Sequence, residues 1–212
     1  YNWGKAEMVD NLRELGIKVV VVKGPKSIAD VKENVKLIAK TLGEEDKGNL
    51  MIAKMDDKLA EIKEKVDNIK PEERKKLVLI SLMTSYGGKG CTFDDICQYA
   101  GVINGVSNAG LHNGQFLTKE MLVAINPDLL IMPVYNDLNT FDIEKYNKEF
   151  LDDPALQTLN AVKEKRFFYP REGYIYNSSQ DIVFGVQEVA RAAYGELFSQ
   201  PENCHISVAE IN

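Results

Sequence analysis

The chain has 212 residues, of which 44% are hydrophobic and 27% are charged, as in folded globular proteins. Its formal net charge is −6 with both signs interspersed, which argues against a nucleic-acid-binding face, since such faces are basic. The longest apolar stretches, Val19–Val22 and Leu77–Leu82, have the length of strands, and no run reaches the ~18 residues that suggest a membrane helix. Composition therefore predicts a globular protein that binds no nucleic acid.

The cysteines and histidines do not have the spacing of a structural metal site. Three cysteines occur, at Cys91, Cys97 and Cys204, and two histidines, at His112 and His205. They form neither a Cys-x-x-Cys pair nor a Cys/His pattern of the kind that holds zinc. We therefore expect packed thiols, with no resident metal and no cofactor.

Residues 1–43 predict a helix, a strand and a second helix. Lys5–Leu15 carries an apolar face and is followed by a glycine, as helix ends often are. Ile17–Val22 is an apolar run rich in β-branched residues, which is typical of a strand buried on both faces of a parallel sheet. Ser27 has the residue type that caps a helix, and the apolar periodicity then continues to Gly43. We interpret this block as the remnant of an N-terminal α/β lobe whose first strands are missing.

Residues 44–70 predict one long helix. Apolar side chains recur there at steps of three and four residues, the period of one helical stripe: Met51, Met55, Leu59, Ile62, Val66 and Ile69. Pro71 ends the run because proline cannot continue a helix. A helix of about 25 residues is about 37 Å long at ~1.5 Å per residue, the width of a small domain. We interpret it as a strut between two lobes.

Residues 71–212 predict a second α/β lobe. Strands are expected at Leu77–Leu82, Leu129–Val134 and Arg166–Tyr169, with helices between them and a last helix over Ser178–Phe198. Strands that alternate with helices predict a mostly parallel sheet covered on both faces. The predicted fold class is therefore α/β, with two lobes of mostly parallel sheet joined by one long interlobe helix, and with an incomplete first lobe.

Local signals add detail to the second lobe. Thr92 and Asp95 have the spacing of a capping box and predict the start of a helix. Thr118 predicts the cap of another short helix. No regular structure is predicted for the Gly- and Asn-rich loop 104–116 or for the polar segment 138–150.

Polar and aromatic side chains follow the predicted strands. Ligands of open parallel sheets bind beyond the carboxyl ends of the strands, so these side chains are candidate ligand contacts. They are Thr84, Ser85, Tyr86, Lys89, Tyr135, Asn136, Arg171, Tyr174 and Tyr176. Hydroxyls, amides, aromatic rings and two cations suit a polar or anionic organic ligand, and the planar fork of Arg171 suits carboxylate, catecholate or hydroxamate oxygens. His112 is a further candidate, as a ligand contact, as a base or as a solvated loop residue.

The chain lacks the motifs of common catalytic sites. The Gly-Lys-Gly run at 88–90 follows a strand as a phosphate loop would, but Met83 stands where the first glycine is required and Gly90 where a Ser or Thr binds magnesium. Neither a dinucleotide fingerprint nor a nucleophile elbow occurs. Asp94 and Asp95 fall in the first turn of a predicted helix, where they offset its dipole. The sequence therefore predicts that the chain is not an enzyme.

Four segments carry, by their order and spacing, a resemblance to a known family. They are Gly88-Lys89-Gly90-Cys91-Thr92-Phe93-Asp94-Asp95-Ile96, Ala100-Gly101, Leu117-Thr118-Lys119-Glu120 and Ile125-Asn126-Pro127-Asp128-Leu129-Leu130-Ile131. This order resembles the second lobe of ABC-transporter solute-binding proteins, in the class that carries iron–siderophore complexes, haem and vitamin B12. The run Leu12–Val21 resembles the end of that family's first lobe, and the long helix resembles its interlobe strut.

The resemblance implies a carrier that captures a metal chelate between two lobes and delivers it to a membrane permease and its ATPase complex. It implies a periplasmic or extracellular location at the membrane, through the permease or a lipid anchor. In the family an acidic side chain on each lobe docks on the permease, and the candidates in the second lobe are Asp142, Glu144 and Glu149. The start of the chain resembles the loop after a missing first-lobe strand, so Tyr1 and Trp3 are expected to face the cleft.

Further expectations and two other hypotheses stay open. A chain that opens on Tyr-Asn-Trp is interpreted as a fragment, which we expect to bind cargo weakly or not at all and to self-associate through exposed apolar surface. One other hypothesis is an α/β enzyme that uses the loop 84–92 and the following helix N-terminus as an anion or phosphate site. The other is an interaction module that has kept the fold and lost its ligand. Siderophore, haem, corrinoid and oxyanion cargoes share this scaffold, so the sequence does not name the cargo.

Overall fold

The structure is a computed structural model that describes residues 6–82, 85–134, 142–176 and 178–209. Within these residues the α-helices are α1 Ala6–Glu14, α2 Ile28–Leu42, α3 Glu45–Val66, α4 Thr92–Tyr99, α5 Gly105–Asn108, α6 Lys119–Ile125, α7 Ile143–Leu151, α8 Asn160–Lys163, α9 Glu172–Ile175 and α10 Ile182–Tyr194. The strands are β1 Lys76–Leu79, β2 Ile103–Asn104, β3 Leu129–Ile131 and β4 Phe167–Phe168. Short 3-10 helices occupy Pro71–Glu73, Pro154–Thr158 and Gly195–Phe198.

The strands of the described residues form one parallel sheet in the order β2-β1-β3-β4. Leu77 of β1 lies opposite Leu129 of β3, and Leu130 of β3 lies opposite Phe167 of β4. The two central strands are almost wholly apolar because a central parallel strand is covered on both faces. The predicted α/β class with a parallel sheet is confirmed, with strands that are shorter than predicted.

Successive residues of the central strands enter apolar clusters on opposite faces of the sheet. Leu77 and Ile131 belong to a cluster with α3, α4 and α10, whereas Val78 and Leu130 belong to a cluster with α6 and α8. This division follows from the two-residue period with which side chains leave a strand. The sheet therefore lies between two helical layers, as predicted for the second lobe.

The long helix α3 forms as predicted, and its apolar stripe faces the core. Met55, Leu59, Ile62 and Val66 are buried in the same cluster as Leu77 of the sheet. The helix packs against α2, α4 and α10. α3 is therefore part of the core of the sheet-containing lobe along much of its length.

The neighbouring helix α2 belongs to this core as well. Ile28 and Val31 are buried beside α3 and the sheet. Ser27 caps α2 as predicted, because its hydroxyl accepts a hydrogen bond from the Asp30 amide at 3.1 Å. Gly43 ends the helix at φ 70°, a left-handed conformation that glycine adopts without steric cost.

The strand predicted at Ile17–Val22 is wrong, although the helix before it is confirmed as α1. In the described part of the chain this segment pairs with no strand, and Ile17, Val20 and Val21 are about half exposed. A strand persists only where neighbouring strands satisfy its backbone N–H and C=O groups, and the described residues provide no such neighbour here. Together with α1 and α2 this segment carries a set of exposed apolar side chains, a set called below the N-terminal apolar surface: Met8, Leu15, Ile17, Val20, Val21, Leu37, Ile38 and Leu42.

The capping box predicted at Thr92 and Asp95 is also wrong. The N-cap of α4 is Cys91, whose side chain makes no capping hydrogen bond. The Thr92 hydroxyl instead lies 3.0 Å from the hydroxyl of Tyr86, and the Asp95 carboxylate accepts from a backbone N–H of α2 at 2.7 Å. Both side chains therefore bind tertiary partners that sequence spacing does not reveal. The cap predicted at Thr118 is confirmed by a hydrogen bond from the first turn of α6.

Three short elements, β2, α5 and α7, lie where loops were predicted. Helix α7 is capped by Asp142, which accepts from the Lys145 amide at 2.9 Å. Its apolar face consists largely of Tyr146 and Phe150, whose ring centroids lie 6.2 Å apart. Ile143, Tyr146 and Phe150 recur at steps of three and four residues, so the sequence does carry a helical period here, and the expectation of a loop was wrong. Among the helices of the described residues, none combines the length and apolar character needed to cross a membrane.

Candidate functional site

The parallel strands bring their carboxyl ends to one edge of the sheet. The described segments that leave this edge are 80–82 and 85–91 after β1, 105–118 after β2, 132–134 after β3 and 169–176 after β4. Because ligands of open parallel sheets bind at this edge, these segments form the candidate site.

Two of these segments are joined by backbone hydrogen bonds. Lys89 and His112 are partners in an isolated parallel bridge. The Lys89 amide donates to the Leu111 carbonyl at 2.9 Å, and the Lys89 carbonyl accepts from the Asn113 amide at 3.0 Å. The structure therefore brings together two predicted site residues that lie 23 positions apart in sequence, and both side chains are exposed. We call residues 85–90 and 111–115 the loop pair.

A second contact and a close approach fix the loop pair. The Ser85 carbonyl accepts from the Gly114 amide at 2.7 Å. At Gly88 a Cβ atom would lie 2.7 Å from the carbonyl carbon of His112, a separation that real side chains do not reach. Glycine at this position therefore allows the two backbones to touch. Ser85, a predicted site residue, is half-buried at the same contact.

Two buried polar residues, Asn104 and Asp94, form hydrogen bonds with the backbone of the loop pair. The Asn104 side-chain amide donates to the carbonyl of Gly87 and to the Asp94 carboxylate, each at 2.9 Å. Asp94 also accepts from the Gly90 amide at 3.4 Å. The Asp94 carboxylate therefore places negative charge beside the start of α4, where the phosphate of the enzyme hypothesis would have to bind. Sequence reasoning gave Asp94 only a dipole role and missed Asn104, because the pairing depends on the fold.

An aromatic pair connects the loop pair to the segment after β4. The rings of Tyr86 and Tyr176 lie 5.7 Å apart at an interplanar angle of 37°. Burial raises the pKa of the Tyr86 hydroxyl well above its ordinary value, so this group stays neutral. Both residues were predicted site residues, and the structure places them in contact.

The remaining predicted contacts after β4 are engaged by the C-terminal segment. Arg171 donates from Nη1 to the Glu202 carbonyl at 2.7 Å and to the Asn203 side chain at 2.9 Å. Tyr174 is 7% exposed, and its hydroxyl donates to the carbonyl of Cys204 at 2.6 Å. The guanidinium thus already has partners within the protein, and Tyr174 belongs to the core.

Two exposed aromatic residues at this edge were missed by the sequence reasoning. Tyr169 comes directly after β4 and is 51% exposed. Phe116 follows the loop pair and is also largely exposed. The predicted strand includes Tyr169 as its last residue, but the strand ends one residue earlier in the structure, whereas no sequence signal separates Phe116 from an ordinary loop residue.

Several predicted residues lie outside the described residues: Tyr1, Trp3, Thr84, Tyr135 and Asn136. The three predicted docking acids are described. Glu144 and Glu149 are exposed on α7, where Glu149 lies 3.9 Å from the Lys145 ammonium, and Asp142 is the N-cap of this helix.

The described residues contain no group of three or more His, Cys, Asp and Glu side chains that could hold a metal ion. Cys91 and Cys97 are buried, and burial raises the pKa of both thiols. These thiols therefore stay neutral and behave as packed apolar groups.

Comparisons with known proteins show which protein family the sequence matches. The sequence profile of the periplasmic binding protein family matches residues 2–172. YvrC of Bacillus subtilis strain 168, described as an uncharacterized ABC transporter substrate-binding lipoprotein, is 24% identical over 201 residues, which cover 92% of this chain and 60% of YvrC. The chain therefore spans about three-fifths of the length of that relative.

Solved structures share the fold at low sequence identity. The periplasmic haem-binding protein RhuT from Roseiflexus sp. RS-1, in apo form, matches with a TM-score of 0.78 and 19% identity, covering 90% of this chain and 72% of RhuT. Helicobacter pylori CeuE with Ni(II) bound matches with a TM-score of 0.68 and 20% identity, covering 91% of this chain and 60% of CeuE. These likenesses confirm the α/β fold and show that the chain is partial relative to both proteins.

Proposed function

Because the chain belongs to the periplasmic binding protein family, we propose that it is the solute-binding component of an ABC importer. Its role is to capture a metal chelate at the carboxyl edge of the sheet and deliver it to a membrane permease and its ATPase complex. The lipoprotein description of YvrC supports an extracytoplasmic location with a lipid anchor. The family is one of binding proteins, which confirms the prediction that the chain is not an enzyme.

The observation that carries the proposal is the loop pair, which holds Lys89 and His112 next to each other at the exposed edge. An ammonium group attracts the carboxylates of an anionic chelate, and an imidazole can ligate a metal or donate a hydrogen bond. Tyr169, which is 51% exposed, adds aromatic surface against which a flat macrocycle can stack.

The proposed cargo is therefore a metal chelate, namely an iron–siderophore complex, haem or a corrinoid. RhuT is a haem-binding protein and CeuE was solved with Ni(II), which supports a metal-containing ligand without choosing among these chelates. We propose Tyr1, Trp3, Thr84, Tyr135 and Asn136 as further ligand contacts.

We propose the acidic residues on and beside α7, Asp142, Glu144 and Glu149, as the docking residues. Their exposure supports contact with arginines of a permease. Of the three, Glu144 and Glu149 are the better candidates, because the Asp142 carboxylate already accepts a backbone hydrogen bond as a helix cap.

The test is a spectroscopic titration with haemin, a ferric hydroxamate siderophore and cobalamin as separate probes. We expect saturable binding of at least one probe, weakened about tenfold or more in Lys89→Ala or His112→Ala, because charge-assisted hydrogen bonds contribute ~1.5–3 kcal/mol. Lys163→Ala is the matched control, since this exposed lysine precedes β4 and lies at the opposite edge of the sheet. Binding that is unchanged in both test variants would contradict the assignment of the loop pair.

A further inference from the structure

The segment after β4 is held from two sides by groups outside it. We call residues 169–176, which include the short helix α9, the edge loop. On one side the Glu188 carboxylate of α10 accepts a hydrogen bond from the Arg171 amide at 2.7 Å. On the other side, carbonyl groups of Glu202 and Cys204 accept from the side chains of Arg171 and Tyr174.

Glu188 is unusual because it is a carboxylate in the core. It is 3% exposed, and desolvation raises its pKa. Burying a carboxylate carries a large solvation cost unless a partner offsets it, so a glutamate at this position needs a specific contact. The Arg171 amide supplies such a contact, and the charges of Arg191 and Arg171 and the side chain of Gln200 also favour the carboxylate.

Helix α10 approaches the edge loop closely on the same face. At Gly185, one turn before Glu188, a Cβ atom would lie 2.2 Å from the Tyr174 carbonyl oxygen. Residues three apart on a helix share a face, so α10 contacts the edge loop near its beginning through Glu188 and near its end through Gly185. The loop therefore lies directly on the helix.

The C-terminal segment on the other side is itself anchored. Asp181 accepts from the Ile206 amide at 2.9 Å and lies 2.6 Å from His205 Nδ1. Gln187 donates to the Ser199 carbonyl, and the Lys54 ammonium of α3 donates to the carbonyl of Ser207. The edge loop thus lies between α10 and the anchored C-terminal segment.

We infer that Glu188 is a positioning residue for the ligand edge. Through the Arg171 amide it fixes the path of the edge loop, and so it fixes where the exposed ring of Tyr169 stands. This inference rests on the proposed function in one respect, because it assumes that the edge loop lines the ligand-binding site. The hydrogen bond from the loop to α10 is independent of that function.

Three variants test the role of Glu188. Glu188→Gln keeps a hydrogen-bond acceptor of the same length, whereas Glu188→Leu removes it. Tyr194→Phe is the control, because it removes a hydrogen bond of α10, from the Tyr194 hydroxyl to the Gly101 carbonyl, that involves neither the edge loop nor the C-terminal segment. The first measurement is hydrogen–deuterium exchange of the peptide that contains residues 169–176. We expect exchange about tenfold faster in Glu188→Leu, and within about twofold of wild type in the other two variants.

The second measurement is haemin titration of the same proteins. We expect Glu188→Leu to bind haemin about tenfold more weakly than wild type, with Glu188→Gln restoring affinity. Unchanged exchange in Glu188→Leu overturns the inference whether or not haemin binds. Faster exchange with unchanged haemin affinity overturns the positioning role. If wild type does not bind haemin, that part of the proposed cargo class fails, and the exchange result alone decides whether Glu188 holds the loop.

Discussion

Leu59 of α3 offers the sharpest test of how the long helix is packed. Its side chain is 6% exposed and lies in the cluster that includes Met55, Ile62 and the sheet. Truncation of a buried leucine to alanine costs ~2–5 kcal/mol, and for a chain of this size each kcal/mol lowers the melting temperature by about 2–4 °C. We therefore expect Leu59→Ala to melt about 4–20 °C below wild type. Leu59→Asp should lose more, because it also buries an unpaired charge.

The matched control is Ala60→Asp, one position along the same helix and exposed. A surface change of this kind stays within about 1 kcal/mol, including the lower helix propensity of aspartate. Lys58 is a poorer control than its sequence suggests, because its side chain is 19% exposed and its ammonium lies 6.0 Å from the ring centroid of Phe184. Thermal unfolding followed by circular dichroism at 222 nm measures the difference. Equal melting temperatures for Leu59→Asp and Ala60→Asp would refute the register of α3.

Three further predictions follow from other contacts. Gly88→Ala should weaken haemin binding and lower the melting temperature, because its Cβ would collide with the backbone of His112; unaltered titration and melting curves would contradict the loop-pair geometry. Glu188 faces Arg171 and Arg191, and its pKa is raised in the folded protein, so folding takes up a proton. The contribution of Glu188 to the unfolding free energy is therefore greatest below about pH 4.5 and falls as pH rises through the folded-state pKa. The unfolding free energy of wild type relative to Glu188→Gln should therefore decline with pH over that window, and a constant difference would rule out the titration. The N-terminal apolar surface should make the 212-residue chain self-associate, which sedimentation velocity at rising concentration would show and a clean monomer would contradict.

Sequence patterns predicted the parts of the fold that depend on local periodicity. The stripe from Met55 to Val66 and the apolar run at Leu77–Leu79 each carry a clear period, and both elements form. Ile17–Val22 carries an equally clear strand pattern but forms no strand, since β-propensity is realised only beside a neighbouring strand. Helix α7 was missed although Ile143, Tyr146 and Phe150 have helical spacing, because the charged residues between them were interpreted as those of a loop.

The candidate site was predictable in location but not in detail. The rule that ligands bind at carboxyl strand ends leads to Lys89 and Tyr86, which the structure places at that edge. It does not predict that Lys89 pairs with His112, or that Arg171 is engaged by residues about thirty positions later in the chain. Those pairings are set by tertiary contacts between distant segments, for which a single sequence contains no local signal.

The burial of α2 has a consequence for chimaeric proteins. Ile28 and Val31 complete the same cluster as α3 and the sheet, so a chain shortened to begin at Glu44 would lose two core side chains and expose one flank of α3. A chain shortened to begin at Lys26 would keep that cluster intact. Exchange of halves between relatives should therefore use a crossover at residues 23–26, which precede the Ser27 cap and are largely exposed, instead of the start of the long helix.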